Sequence, residues 1–266
     1  MLLNSVIIVL REVLEAALLF SVLLALAKQS AINQSWFSRS LLMGGIGAAA
    51  YGLNMGMVTE WFDGVGQEVI NALIQLIIYC LLVVFISLQF KLHLILKYEQ
   101  EPAIQKLKSL LVLLMILLTT LALSREGAEI LLYLLSVARS ENHISSTLIG
   151  MIIGASIGIS IGFLFYYLLL SLSRNGNMII ALSLLVLVSS GLIAQATQLL
   201  IQADWIPAQL PLWDSSFLLS EESIAGELMY ALLGYESHPT AIQAIVYLCG
   251  ILLPCFLILY IWKKRH

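Results

Sequence analysis

Residues 4–26 read NSVIIVLREVLEAALLFSVLLAL, and residues 109–137 read SLLVLLMILLTTLALSREGAEILLYLLSV. Each is an apolar run of membrane-spanning length interrupted by an Arg-Glu-x-x-Glu word. The first word is Arg11-Glu12-Val13-Leu14-Glu15 and the second Arg125-Glu126-Gly127-Ala128-Glu129. The alternation that a lipid-facing barrel strand needs is absent, so these runs predict helices. Charges in the middle of a bilayer cost roughly 2.5–3.5 kcal/mol each on insertion scales, so six of them require a function.

The rest of the chain agrees with a membrane assignment. Of its 266 residues 61% are hydrophobic and 11% charged, against about 25% charged in a soluble domain. That excludes a soluble enzyme, a nucleic-acid binder and a disordered protein. The spacing predicts an all-α polytopic protein of one membrane domain over residues 1–266. Its seven spans fall at about 4–26, 40–58, 69–90, 109–137, 146–171, 177–202 and 241–262. The first span has no basic n-region and no small-residue cleavage site, so it is not a cleavable signal. Cys80, Cys249 and Cys255 lie inside apolar runs, and the four histidines show no ligand spacing.

Loop charges orient the spans. Lys28, Arg39, Lys91, Lys97, Lys106, Lys108, Arg174, Lys263, Lys264 and Arg265 fall on one side if seven helices alternate. The other side holds Arg139 and ten acids, among them Glu60, Asp63, Glu68, Asp204, Asp214 and Glu236. The positive-inside rule then places the N-terminus outside and the C-terminus in the cytoplasm.

Spans one to three and four to six read as two copies of one unit, about 1–92 and 108–203. The first helix of each carries the charged word. The second carries a ladder of small residues, Gly44, Ala48, Gly52 and Gly56 in one copy and Gly150, Gly154, Gly158 and Gly162 in the other. The third carries amides, Asn71 and Gln75 against Gln195, Gln198 and Gln202. Three helices per copy force the second to enter from the opposite face, which gives a 3+3 inverted repeat with a seventh helix outside it.

At about 100° per residue, Glu12 and Glu15 share a helix face with Arg11 beside them, and so do Glu126, Glu129 and Arg125. In span four the face continues through Thr119, Tyr133 and Ser136. Salt bridges use two acids and leave two over. Surplus carboxylates in a low dielectric take protons or bind a cation. Cation binding is the favoured reading, with a proton relay or a simple helix clamp as alternatives. Oxygen donors favour Fe3+, Fe2+, Mn2+, Mg2+ or Ca2+ over copper or zinc.

Two such words on the first and fourth of seven helices resemble the oxidase-dependent iron permeases of fungi and the bacterial EfeU-type iron permeases. LREVLEAA at Leu10–Ala17 and SREGAE at Ser124–Glu129 are close to the family's LREGLEAA and AREGLE. Leu212-Trp213-Asp214, Gly234-Tyr235 and His238-Pro239 are similar to the bacterial branch. The resemblance implies an iron permease of a bacterial inner membrane, with Fe2+ or Fe3+ as substrate and no prosthetic group. It implies Glu12, Glu15, Glu126 and Glu129 as iron ligands, Arg11 and Arg125 as site-shaping countercharges, and an extracytoplasmic oxidase, peroxidase or iron-binding partner. Two departures stand out. Val13 replaces the usual glycine, and Asn71 aligns where relatives often carry a glutamate, for which Glu68 could stand in. Tyr133, Gln195, Gln198 and Asp214 complete the candidate accessory residues. The alternative is a carrier of another divalent cation such as Mn2+, perhaps coupled to protons, on the same scaffold.

Between spans six and seven, residues 203–240 form an outer segment with Trp205, Trp213, Pro207 and Pro211. Ser220 as N-cap, Glu221 and Glu222 in a first turn, and Gly234 as C-cap predict a short helix there. Its favoured reading is an interfacial helix anchored by tryptophans, and the other is an acidic vestibule that concentrates cations.

Overall fold

The computed structural model describes residues 2–96, 101–139, 144–220, 223, 225–226, 229–230 and 234–264. The described residues are almost wholly helical. The elements are α1 (Leu2–Gln29), α2 (Ser35–Leu53), the short α3 (Met55–Thr59), α4 (Gly66–Ile95), α5 (Glu101–Arg139), α6 (Ile144–Ser171), α7 (Arg174–Gln202) and α8 (Ala241–Lys263). Five helices, α4 to α8, are long and apolar enough to cross a membrane. α1 is 28 residues long but carries Arg11, Glu12, Glu15 and Lys28, and α2 is 19 residues long.

The second predicted span ends earlier than expected. α2 breaks at Asn54, whose Nδ2 donates to Ala50 O at 2.7 Å. A side chain that bonds its own backbone competes with helix continuation. Gly56 therefore falls in α3, where an added Cβ would meet nothing within 4 Å, and it is no rung of the ladder. The chain then turns through Phe62, Asp63 and Gly64, all at positive φ (53°, 62° and 99°), and enters α4. α5 runs 39 residues, beyond the expected 109–137 at both ends.

The small residues decide how the long helices pair. α6 lies along α1 so closely that a Cβ on Gly150 would stand 2.6 Å from Leu2 O and one on Gly154 2.5 Å from Val6 O. Gly158 and Gly162 meet Val13 and Ala17 in the same seam. α2 lies along α5 in the same way, Gly44 against Leu123, Gly52 against Leu131, and Ala48 against Gly127. Each charged helix is thus packed on a small-residue helix distant in sequence, α1 on α6 and α5 on α2, as close backbone approach allows. Val13 is accommodated because Gly158 stands opposite: a Cβ there would lie 2.7 Å from Val13 Cγ1.

α4 packs against α7, with α8 on the outside of both. A capping box starts α8: Thr240 Oγ1 accepts from Gln243 N, and Gln243 Oε1 accepts from Thr240 N. Toward the end where α1 and α4 finish, the interior is an apolar plug of Leu23, Leu26, Leu82, Phe85, Leu111 and Met115, all fully buried.

The helix expected over Ser220–Gly234 falls in part on residues 221–222, 224, 227–228 and 231–233, outside the described residues, as do Lys97, Glu141 and Arg265. Where the segment is described, Gly226 N–H donates to Ser223 Oγ at 3.0 Å. Gly234 adopts a φ of 64°, and its Cα faces Gly191 of α7 so tightly that an added Cβ would lie 2.2 Å from Gly191 Cα.

Candidate functional site

The charged words of α1 and α5 lie at one depth, beside each other. Arg125 is its centre and is 7% exposed. Its Nη1 lies 2.5 Å from Glu126 Oε1 and 3.4 Å from Glu15 Oε2, and its Nη2 lies 3.4 Å from Glu129 Oε1. Arg11 is placed differently. Its Nε is 3.6 Å from Glu15 Oε1, and its guanidinium stacks 4.2 Å from the ring centroid of Tyr230. Glu15 therefore faces both arginines.

The other three acids converge. One carboxylate oxygen each from Glu12, Glu126 and Glu129 lies within 4.8 Å of the other two. Glu12 and Glu126 are buried, and among the described residues Glu12 Oε2 and Glu126 Oε2 have no hydrogen-bond partner. Buried carboxylate oxygens without donors are costly, so the arrangement calls for a cation or a proton. Oxygens up to 4.8 Å apart can share one ion at metal–oxygen distances of about 2.0–2.6 Å.

Glu12 and Glu129 line a polar cavity of about 360 Å³ together with Arg11 and Arg125, and Glu126 lies behind them outside its lining. Gln67, Glu68, Asn71 and Gln75 of α4 form one wall, and Gln195, Gln198 and Gln202 of α7 form another. Tyr230 and Glu236 complete it. Because Gln67 opens α4 and Gln202 closes α7, the cavity leads toward the end of the molecule that carries Asp63 and Asp204.

Hydrogen bonds fix the cavity's amides. Tyr51 Oη donates to Asn71 Oδ1 at 2.8 Å, and Asn71 Nδ2 donates to Glu129 Oε1 at 3.3 Å. Gln75 Nε2 donates to Gln195 Oε1 at 2.8 Å. Gln243 Nε2 donates to Gln198 Oε1 at 2.8 Å and to Glu236 Oε2 at 2.7 Å.

On the opposite face of the α1–α5 crossing lies a largely apolar cleft of about 740 Å³. Glu12, Glu126 and Gly127 form part of its lining, with Phe20, Phe37 and Tyr166 among its walls.

The accessory residues separate. Glu68, Gln195 and Gln198 line the polar cavity, and Tyr133 and Asp214 do not. Tyr133 Oη bonds Ser5 Oγ at 2.7 Å and ties α5 to the start of α1. Ser136 bonds the carbonyl of its own helix at Tyr133, so the stripe on α5 does not form one continuous lining. Asp214 is exposed, 3.1 Å from His238 Nε2. The Ser216 hydroxyl and N–H hold its carboxyl below the usual aspartate range.

Tyr230 and Glu236 were hidden from sequence reasoning because their segment reads as an interfacial anchor. Gly234 was the signal: its left-handed turn against Gly191 seats that segment in the bundle. No curated protein and no solved structure matches the chain significantly. A family model matches residues 2–262, so nearly its whole length is covered, helices, charged words and outer segment together. On that match the chain belongs to the iron permease FTR1 family, a family of iron transport proteins rather than of enzymes.

Proposed function

We propose that this protein carries iron ions inward across a bacterial inner membrane, through a site made by Glu12, Glu126 and Glu129. The observation that carries the reading is the convergent trio of carboxylates, Glu12 and Glu126 buried with undonated oxygens, of which Glu12 and Glu129 line the polar cavity. Arg125 balances part of the charge, while Glu15 holds Arg125 and Arg11 in place and joins the ligand set only if those contacts rearrange.

The loop-charge asymmetry orients the molecule with its N-terminus and residues 203–240 outside and its C-terminus in the cytoplasm. The cavity then opens outward, and the apolar plug around Leu82, Phe85 and Met115 closes the inner side. All seven helices longer than 18 residues cross the bilayer, α1 and α2 included. Reciprocal pairing of α1 with α6 and α2 with α5 supports a 3+3 inverted repeat. A site open to one side and sealed on the other suits alternating access, in which the halves rock about the two charged words. By resemblance, an outer oxidase, peroxidase or iron-binding protein delivers the ion.

The test is radioactive iron uptake into proteoliposomes. Glu→Gln at Glu12, Glu126 or Glu129 keeps volume but removes charge, and is expected to abolish uptake in folded protein. Near-normal uptake in all three variants would leave the words as helix clamps. Competition by Mn2+ at equal strength would favour a broader divalent carrier.

A further inference from the structure

We infer that the amide pair Gln75–Gln195 is part of the cation site, with the side-chain carbonyl of Gln75 as a neutral oxygen ligand that sets metal preference. The inference rests on the carboxylate reading above and deepens it. Gln75 is fully buried on α4, and its Nε2 donates to Gln195 Oε1 across the α4–α7 interface at 2.8 Å. Two amides joined by a single N–H···O bond always leave one carbonyl oxygen over. Here it is Gln75 Oε1, buried and without a hydrogen-bond partner among the described residues.

Position makes that oxygen a ligand candidate rather than a packing defect. Gln75 lines the same polar cavity as Glu12 and Glu129. Gln195 borders that cavity and also a small one of about 20 Å³ beside Glu15 and Glu126. The pair therefore stands at the level of the carboxylates, between the outer cavity and the interior beyond them. A buried carbonyl with no donor costs free energy that an apolar residue at this position would avoid. A cation held by three carboxylate oxygens, one from α1 and two from α5, still lacks neutral donors, and hard cations take amide carbonyls readily. The bond to Gln195 pins the Gln75 amide plane, so the oxygen is held in place before the ion arrives. An uncharged oxygen adds affinity and selectivity for oxygen-seeking ions without adding negative charge to the site.

The experiment uses the full-length protein in proteoliposomes, with radioactive iron as probe and Mn2+, Zn2+ and Cu+ as competitors. Gln75→Leu removes the oxygen and is expected to raise KM about tenfold. Gln75→Met offers a thioether in its place and is expected to move the competition order toward Cu+. Gln75→Asn keeps an amide one methylene short and stands in for the leucine variant should that one misfold. Gln195→Leu releases the pinned amide, with a smaller rise in KM and no thioether effect. An unchanged KM and unchanged metal order in folded Gln75→Met and Gln75→Asn would overturn the inference, leaving the pair as a clamp between α4 and α7. If that happened while Glu12→Gln still abolished uptake, the carboxylate reading would stand alone. If Glu12→Gln, Glu126→Gln and Glu129→Gln all transported normally as well, that reading would fail first.

Discussion

Arg125 on α5 reaches Glu15 on α1, Nη1 to Oε2, at 3.4 Å, while Arg11, 3.6 Å from the other oxygen of Glu15, stacks on Tyr230 at 4.2 Å. Residues matched in sequence thus hold unequal places. One arginine is buried among carboxylates, and the other is 38% exposed along its side chain at the cavity wall.

That inequality predicts unequal damage. Arg125→Gln leaves Glu15, Glu126 and Glu129 without their shared countercharge and is expected to cost about 3–5 kcal/mol, as loss of one partner of a buried ion pair does. Arg11→Gln should leave the fold intact and act on uptake. Thermal unfolding in detergent, followed by size-exclusion fluorescence, checks the contrast, and equal melting of both variants would refute it.

The four acids are predicted to divide in the same way. Glu12→Gln, Glu126→Gln and Glu129→Gln lose iron uptake with little loss of protein. Glu15→Gln lowers the amount of folded protein first, because both arginines lean on it. Uptake normalised to folded protein distinguishes the two classes.

Tyr51 fixes Asn71, which in turn donates to Glu129. Tyr51→Phe should weaken apparent iron affinity about tenfold with maximal rate largely retained. A fall in maximal rate at constant KM would contradict this chain of bonds.

Close helix approach makes a paired test. Gly154→Ala would drive a Cβ to 2.5 Å from Val6 O and is expected to loosen α6 from α1 and lower the melting temperature. Gly45→Ala meets nothing within 4 Å and should hold or raise it.

Topology is tested by an impermeant thiol reagent on single cysteines in a background lacking Cys80, Cys249 and Cys255. A cysteine at Lys106 should be silent from outside, and one at Asp214 should label. Outside labelling at position 106 would invert the proposed orientation and the direction of transport with it.

Much of this was legible because membrane physics writes it plainly. Long apolar runs gave the helices, and the charges inside them singled out Arg125 and Glu126 as the residues whose burial needs a reason. Gly150 to Gly162 announced a close seam but could not say against which helix, because small residues fit any partner. Gly56 continued the spacing without continuing the helix, for the side chain of Asn54 ends it. Glu15 looked equivalent to Glu12 on its own helix face, and only the neighbouring helix decided which one met Arg125. Tyr230 and Glu236 were the least legible, as their place depends on how residues 203–240 fold back onto α7.

The reciprocal pairing of the helices also bears on how the protein is made. α1, with Arg11, Glu12 and Glu15, emerges from the ribosome before α5, and the α5 arginine that meets Glu15 follows 110 residues later. Its glycine seam with α6 arrives later still. During synthesis α1 therefore has only its own Arg11–Glu15 pair until α5 and then α6 have been made. A ribosome stalled before Gly150 would have delivered Arg125 to Glu15 but would leave α1, from Leu2 to Ala17, without the glycine seam it closes against.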